Sequence, residues 1–150
     1  MARLEEEIQS SPTALHHLTF ILQHQYDDHL MSRVGVGFAQ TRIMEVLHES
    51  LPRSQRYVAD RLGQTEANVS RQLRHLKQRR LVNIIKNKHD ARAREITLTS
   101  EGAKRLREAQ KLLKNQYEDL FDFLSQRDVL IFNRVVGRLL QAIRPPAAKD

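Results

Sequence analysis

The stretch VADRLGQTEANVSRQLRHLKQRRLV at residues 58–82, with KNKHDARAREITLT close behind at 86–99, constrains the fold more than any other part of the chain. Gly63 and Thr65 separate two helix-periodic segments, because glycine tolerates the left-handed backbone that ends a helix and threonine caps the next one. With Val69 as origin and about 100° per residue, Val69, Leu73 and Leu76 fall on one face of the second helix. Ala67, Arg71, Arg74 and Gln78 fall on the other, with Asn68, Ser70 and His75 at the flanks. Val82 and Ile84, then Ile96 and Leu98, alternate at period two and predict two strands around a basic loop carrying Lys86, Lys88, Arg92 and Arg94. Two helices across a tight turn followed by a basic hairpin read as a winged helix-turn-helix.

Charge supports a nucleic-acid surface. Residues 53–94 hold twelve basic residues against Asp60, Glu66 and Asp90, a net +9 in a chain whose total is +7, so everything outside this block sums to −2. A basic block between near-neutral flanks is the footprint of a surface that neutralises phosphates. The exposed side of the second helix offers arginines, which bridge guanine O6 and N7, and an asparagine, which pairs with adenine. The hairpin tip suits the phosphate backbone and a narrow minor groove. Asp90, two residues before Arg92, either orients that guanidinium or serves as a turn former.

The rest of the chain reads as helices around this unit. Ser11 and Pro12 open a first helix with Leu15, Leu18, Ile21 and Leu22 on its stripe, ending before the Gly35–Gly37 turn. Ile43, Met44, Val46 and Leu47 mark a second helix, stopped near Ser50 and Pro52. Ser54 caps a third, with Tyr57, Val58 and Leu62 inward and Gly63 at its end. From Ser100 to Leu124 runs a long helix bearing Ala103, Leu106, Leu113, Tyr117, Leu120 and Phe121. Ser125 and Asp128 form a capping box for a last helix carrying Phe132, Val135, Val136, Leu139 and Ile143. The fold class is therefore mainly α with a small β-hairpin wing, divided into a winged helix-turn-helix at 38–99 and a helical dimerisation region at 11–34 and 100–144. Residues 145–150, PPAAKD, are expected to form a disordered tail. No cysteine is present, which removes disulfides and thiolate chemistry. The acidic start MARLEEEIQSS lacks a signal-peptide run and no stretch reaches the ~20 apolar residues of a membrane span, so a cytoplasmic protein without a membrane partner is expected.

The segment LGQTEANVSRQLRHLKQRRLV, the wing sequence DARAREITLT and the Glu101–Gly102 pair after it resemble the MarR family of prokaryotic transcription regulators. The spacing of Asp90, Arg92, Leu98, Thr99 and Gly102 is the discriminating part. Two departures stand out: Gly37–Phe38 where many relatives open the second helix with Thr/Ser-Pro, a weaker cap, and Arg80 where many have glycine. The resemblance implies a homodimer built from interlocking terminal helices, repression at a palindromic operator in double-stranded DNA, and half-sites about one helical turn apart. Base and backbone contacts would come from Thr65, Ala67, Asn68, Ser70, Arg71 and Arg74 in the major groove and from Lys88, Asp90, Arg92 and Arg94 at the wing. It also implies an effector cleft between the first, second and fifth helices for a small aromatic or phenolic ligand, walled by Phe20, His24, Met44 and Tyr117, with Arg42 or Arg33 to meet a carboxylate.

Two other classes stay open. An architectural protein that coats or bends DNA would need only the basic block. His24 and Asp28, at i and i+4 among His16, His17 and His29, could present two metal ligands from one helix and make a metal-sensing regulator, though solvated or interface histidines fit as well. An enzyme is not expected: His48 and Glu49 stand alone, without a nucleophile motif, a phosphate-binding glycine loop or a His-Glu-x-x-His run. No cofactor is implied.

Overall fold

The computed structural model describes residues 13–49, 52–86 and 94–143. The expected Ser11–Pro12 opening, the Ser50 stop, Lys88, Asp90 and Arg92 at the wing, and the 145–150 tail lie outside them. The described elements are α1 (Thr13–Arg33), α2 (Phe38–His48), α3 (Gln55–Leu62), α4 (Glu66–Gln78), β1 (Val82–Lys86), β2 (Arg94–Leu98), α5 (Ser100–Phe121) and α6 (Gln126–Ile143).

One apolar core lies beneath α2–α4 and the hairpin. Leu30, Val34 and Val36 enter from the end of α1 and the turn after it; Ile43, Met44, Val46 and Leu47 come from α2, and Val58 and Ala59 from α3. Val69, Leu73 and Leu76 of α4, Leu81, Val82 and Ile96 of the hairpin, and Leu106 and Ala109 of α5 complete it. β1 and β2 pair antiparallel with Val82 opposite Leu98 and Ile84 opposite Ile96, which puts the four apolar residues on one face as their alternation required. Lys86 pairs with Arg94, so these two residues form the last described rung of the ladder rather than part of the loop. A third, one-residue strand joins the sheet: Arg53 and Ile96 exchange both backbone hydrogen bonds, at 3.1 and 2.9 Å.

The junctions explain several glycines and caps. Gly63 ends α3 at φ 62°, Ser54 Oγ accepts the Tyr57 N–H, and Thr65 Oγ1 accepts the Asn68 N–H to open α4. Thr99 caps α5 by accepting the Gly102 N–H, while its hydroxyl donates to the Arg80 carbonyl at 2.8 Å. Gly102 is required by close approach: a Cβ there would stand 2.0 Å from the Leu81 carbonyl oxygen.

Both sequence departures have structural answers. The weak Gly37 cap is reinforced from another helix, since Asp27 Oδ1 of α1 accepts the Phe38 N–H at 2.7 Å and Gln40 Oε1 accepts the Gly37 N–H. A Cβ on Gly37 would come within 2.6 Å of that same carboxylate oxygen. Arg80 adopts φ 59°, the left-handed conformation that glycine takes without penalty. The long fifth helix stops at Phe121, short of the expected Leu124, and its last turn closes with Asp122 N–H on the Asp119 carbonyl. At the start of α6 half of the expected capping box is formed: Ser125 Oγ accepts the Asp128 N–H, while Asp128 Oδ2 accepts from the Ser125 hydroxyl rather than from its backbone N–H. No helix among the described residues is long and apolar enough to cross a membrane.

Candidate nucleic-acid interface

α4 is held from below and open above. Its buried ridge is Val69, Leu73 and Leu76, while Thr65, Ala67, Arg71, Arg74, Lys77 and Gln78 are exposed and Asn68 and Ser70 half-buried. A helix anchored by an aliphatic stripe can offer its polar face to a groove without unfolding anything. Glu66 in the first turn matches the positive end of the helix dipole. Gln55 Nε2 donates to the Glu66 carbonyl at 3.2 Å and ties the start of α3 to the start of α4.

The electrostatics favour an anionic partner. Ion pairs occupy Arg42 with Glu45, Arg56 with Asp60, Arg61 with Glu49, and Arg105 with Glu101 and Glu108. Arg71, Arg74, Lys77, Lys86 and Arg94 take part in none of the ion pairs among the described residues. Their charge is therefore uncompensated by neighbours and available to phosphates or base edges. Asn68 is partly committed, because its Nδ2 donates to Gln64 Oε1 at 3.2 Å while its carbonyl oxygen stays open. Thr65 uses an oxygen lone pair as a cap and keeps its hydroxyl proton for donation.

The residues expected to wall an effector cleft divide into two groups. Phe20 and His24 line an open cleft of about 360 Å³, their rings stacked with centroids 6.1 Å apart and planes 8° from parallel. Its other walls are Gln23, Asp27 and Met31 of α1, the start of α2, and Gln72 of α4. Arg42, Met44 and Tyr117 lie elsewhere. Met44 is in the core, Arg42 is exposed beside Glu45, and Tyr117 donates to Asn133 Oδ1 of α6 at 2.8 Å. The cleft is thus bounded by α1, α2 and α4 rather than by α5. Nearby, burial and then Tyr117 push the Tyr26 phenol above its ordinary value. His29 of α1 meets Gln116 of α5. Among the described residues no group of three or more His, Cys, Asp or Glu is placed to hold a metal ion.

Some participants gave little signal in the sequence. Gln55, Gln72 and Asp27 act through contacts with other helices, and Arg53 was only one member of a basic block. Arg53 sits with its guanidinium carbon 4.3 Å from the centre of the Tyr57 ring.

The geometry defines a winged helix-turn-helix protein with long flanking helices. Residues 34–93 match the model of the MarR family. The fold matches a transcriptional repressor, CouR, bound to a 23-mer DNA duplex, at TM-score 0.79 and 24% identity over 92% of this chain and 96% of that one. It also matches the MepR–DNA complex of S. aureus, at TM-score 0.77 and 19% identity over 89% and 98% of the two chains. A third match is apo MarR of E. coli, at TM-score 0.73 and 17% identity over 87% and 96%. No curated protein sequence matches the chain. The family match thus covers the winged helix, and the fold match extends along most of the chain's length.

Proposed function

We propose that this chain is a homodimeric repressor that binds a palindromic operator in the cytoplasm of a prokaryote. The observation that carries the reading is the α4 face, where Arg71 and Arg74 stand exposed and unpaired over a fully buried ridge. In this reading residues 38–99 form the DNA-binding unit. Thr65, Ala67, Asn68, Ser70, Arg71 and Arg74 work in the major groove, and Lys88, Asp90, Arg92 and Arg94 at the wing.

Residues 11–34 and 100–144 form the dimerisation region. α6 contributes no buried residue, yet Leu130, Ile131, Phe132, Val135, Leu139, Leu140 and Ile143 are exposed on it, with Leu15, Leu18 and Ile21 exposed on α1. Apolar helices of this length are stable in water only when another surface covers them. A two-fold dimer places one α4 per half-site. A small-molecule effector in the Phe20–His24 cleft would bear directly on α4 through Gln72 and so change the fit to DNA.

Selection of bound sequences from a random duplex library tests the reading, with winners re-measured against scrambled DNA at two salt concentrations. A palindrome bound about a thousandfold or more above scrambled DNA is the expected result. Enrichment of base composition alone, with a steep salt slope, would replace the operator-binding reading with an architectural one.

A further inference from the structure

Among the described residues, Arg53 is placed as no other cation of the basic block is. Its backbone is fixed by both hydrogen bonds to Ile96, at the base of the wing. Residues that exchange both bonds across an antiparallel pair project to the same face, so the Arg53 side chain starts out beside the buried Ile96 and runs beneath the sheet toward α3. There the guanidinium lies over the Tyr57 ring. Among the described residues its buried Nε has no hydrogen-bond partner, and Arg53 takes part in none of the ion pairs. The residue as a whole stays half-buried, leaving the terminal nitrogens as the part that reaches the surface.

A buried N–H without an acceptor is unfavourable for the folded chain, and an apolar side chain of similar length would remove that cost. Stability alone therefore does not account for an arginine at this position. The arrangement does, however, preorganise a cation. Stacking on an aromatic ring removes most of the rotamer freedom of the side chain, and a planar guanidinium presents two parallel donors to a tetrahedral oxyanion. The surroundings match that use. Ser54, the next residue, caps α3, and the first turn of that helix carries no acidic side chain, only Arg56, which is ion-paired with Asp60 one turn on. Gln55 links this turn to the first turn of α4, so Arg53 stands between the recognition helix and the wing.

We infer that Arg53 is a backbone-phosphate ligand of the DNA interface, with Tyr57 as its positioning residue. The inference rests on DNA binding through α4. Arg53 carries no sequence information; it clamps one phosphate beside the groove that α4 enters and sets the register of the base-reading residues.

The test compares wild type, Arg53→Met, Arg53→Lys, Tyr57→Leu and Arg74→Ala on the selected operator and on scrambled duplex across a salt series, with urea melts alongside. Arg53→Met is expected to weaken both duplexes by the same factor, about tenfold. It should flatten the salt dependence by about one unit for each Arg53 on DNA, with the urea midpoint unchanged or raised. Arg53→Lys should restore the salt slope and only part of the affinity. Tyr57→Leu should keep the slope and weaken binding severalfold. An unchanged slope for Arg53→Met overturns the proposal, as does a change in its preferred sequence. Were Arg53→Met unable to fold, a Tyr57→Leu protein binding DNA like wild type would overturn it. Failure here is separable from failure of the DNA-binding reading: in the first case Arg74→Ala still loses operator discrimination, in the second wild type itself shows none.

Discussion

At the scale of single residues, three backbone positions separate steric necessity from conformational preference. Gly102 and Gly63 are both glycines at helix ends, but for different reasons. A Cβ at Gly102 would collide with the Leu81 carbonyl at 2.0 Å and crowd Leu98, whereas one at Gly63 would meet nothing within 4 Å and suffer only from φ 62°. Gly102→Ala must therefore push β1 off the start of α5, a rearrangement costing about 2 to 3 kcal/mol. Gly63→Ala should cost about 1 kcal/mol, the left-handed penalty alone. Urea midpoints of the two variants measure the difference, and equal losses would contradict the close packing at Gly102. Arg80 runs the other way. A non-glycine residue at φ 59° holds about 1 kcal/mol of backbone strain, partly balanced by the stiffer unfolded chain. Arg80→Gly should accordingly raise stability by about 0.5 kcal/mol, and a lower urea midpoint would mean that the arginine side chain makes a compensating contact.

At the scale of elements, what the sequence revealed depended on where each element's partners lie. α4 was legible residue by residue because one 3.6-residue period decides which side is buried, and its cap, Thr65, is local. The hairpin register followed from Val82, Ile84, Ile96 and Leu98 for the same reason. The cap of α2 was not legible: its principal acceptor, Asp27, lies eleven residues upstream on α1 and meets Phe38 only after the two helices pack. The full lining of the Phe20–His24 cleft was not legible on similar grounds. Phe20 and His24 share a helix face, but whether Met44 or Gln72 comes opposite depends on how α1 and α2 cross, which no local pattern encodes. The division of labour within the interface is testable at this scale. Arg71→Ala or Arg74→Ala should remove about 1 to 3 kcal/mol of discrimination between operator and mismatched duplex. Lys88→Ala should weaken all duplexes alike and lower the salt slope by about one unit. A shift in preferred sequence caused by Lys88→Ala would reverse those roles.

At the scale of the whole molecule, the described residues split into a unit with a core and helices that lack one. Beyond Leu30 α1 adds no fully buried side chain to the core, α5 adds none after Ala109 although Leu112 and Leu113 pack against it half-buried, and α6 adds none at all. What joins α6 to the rest is aromatic: Tyr117 on Phe121 at 4.5 Å and Phe121 on Phe132 at 5.2 Å, with the Tyr117–Asn133 hydrogen bond at the rim. That contact orients the helix but leaves Val135, Leu139 and Ile143 exposed, and in the proposed dimer a second copy would cover them. Charges at two of these positions, Val135→Asp with Leu139→Asp, should disfavour association without touching the winged-helix core, since neither residue belongs to it. Sedimentation equilibrium is expected to show the dimer dissociation constant rising at least a hundredfold, while the helical signal of the core persists. Affinity for the palindrome should then fall toward that for a single half-site, because the two recognition helices no longer act at a shared effective concentration. If wild type already sediments as a monomer at micromolar concentration, the exposed stripe has another occupant and the palindrome loses its physical reason.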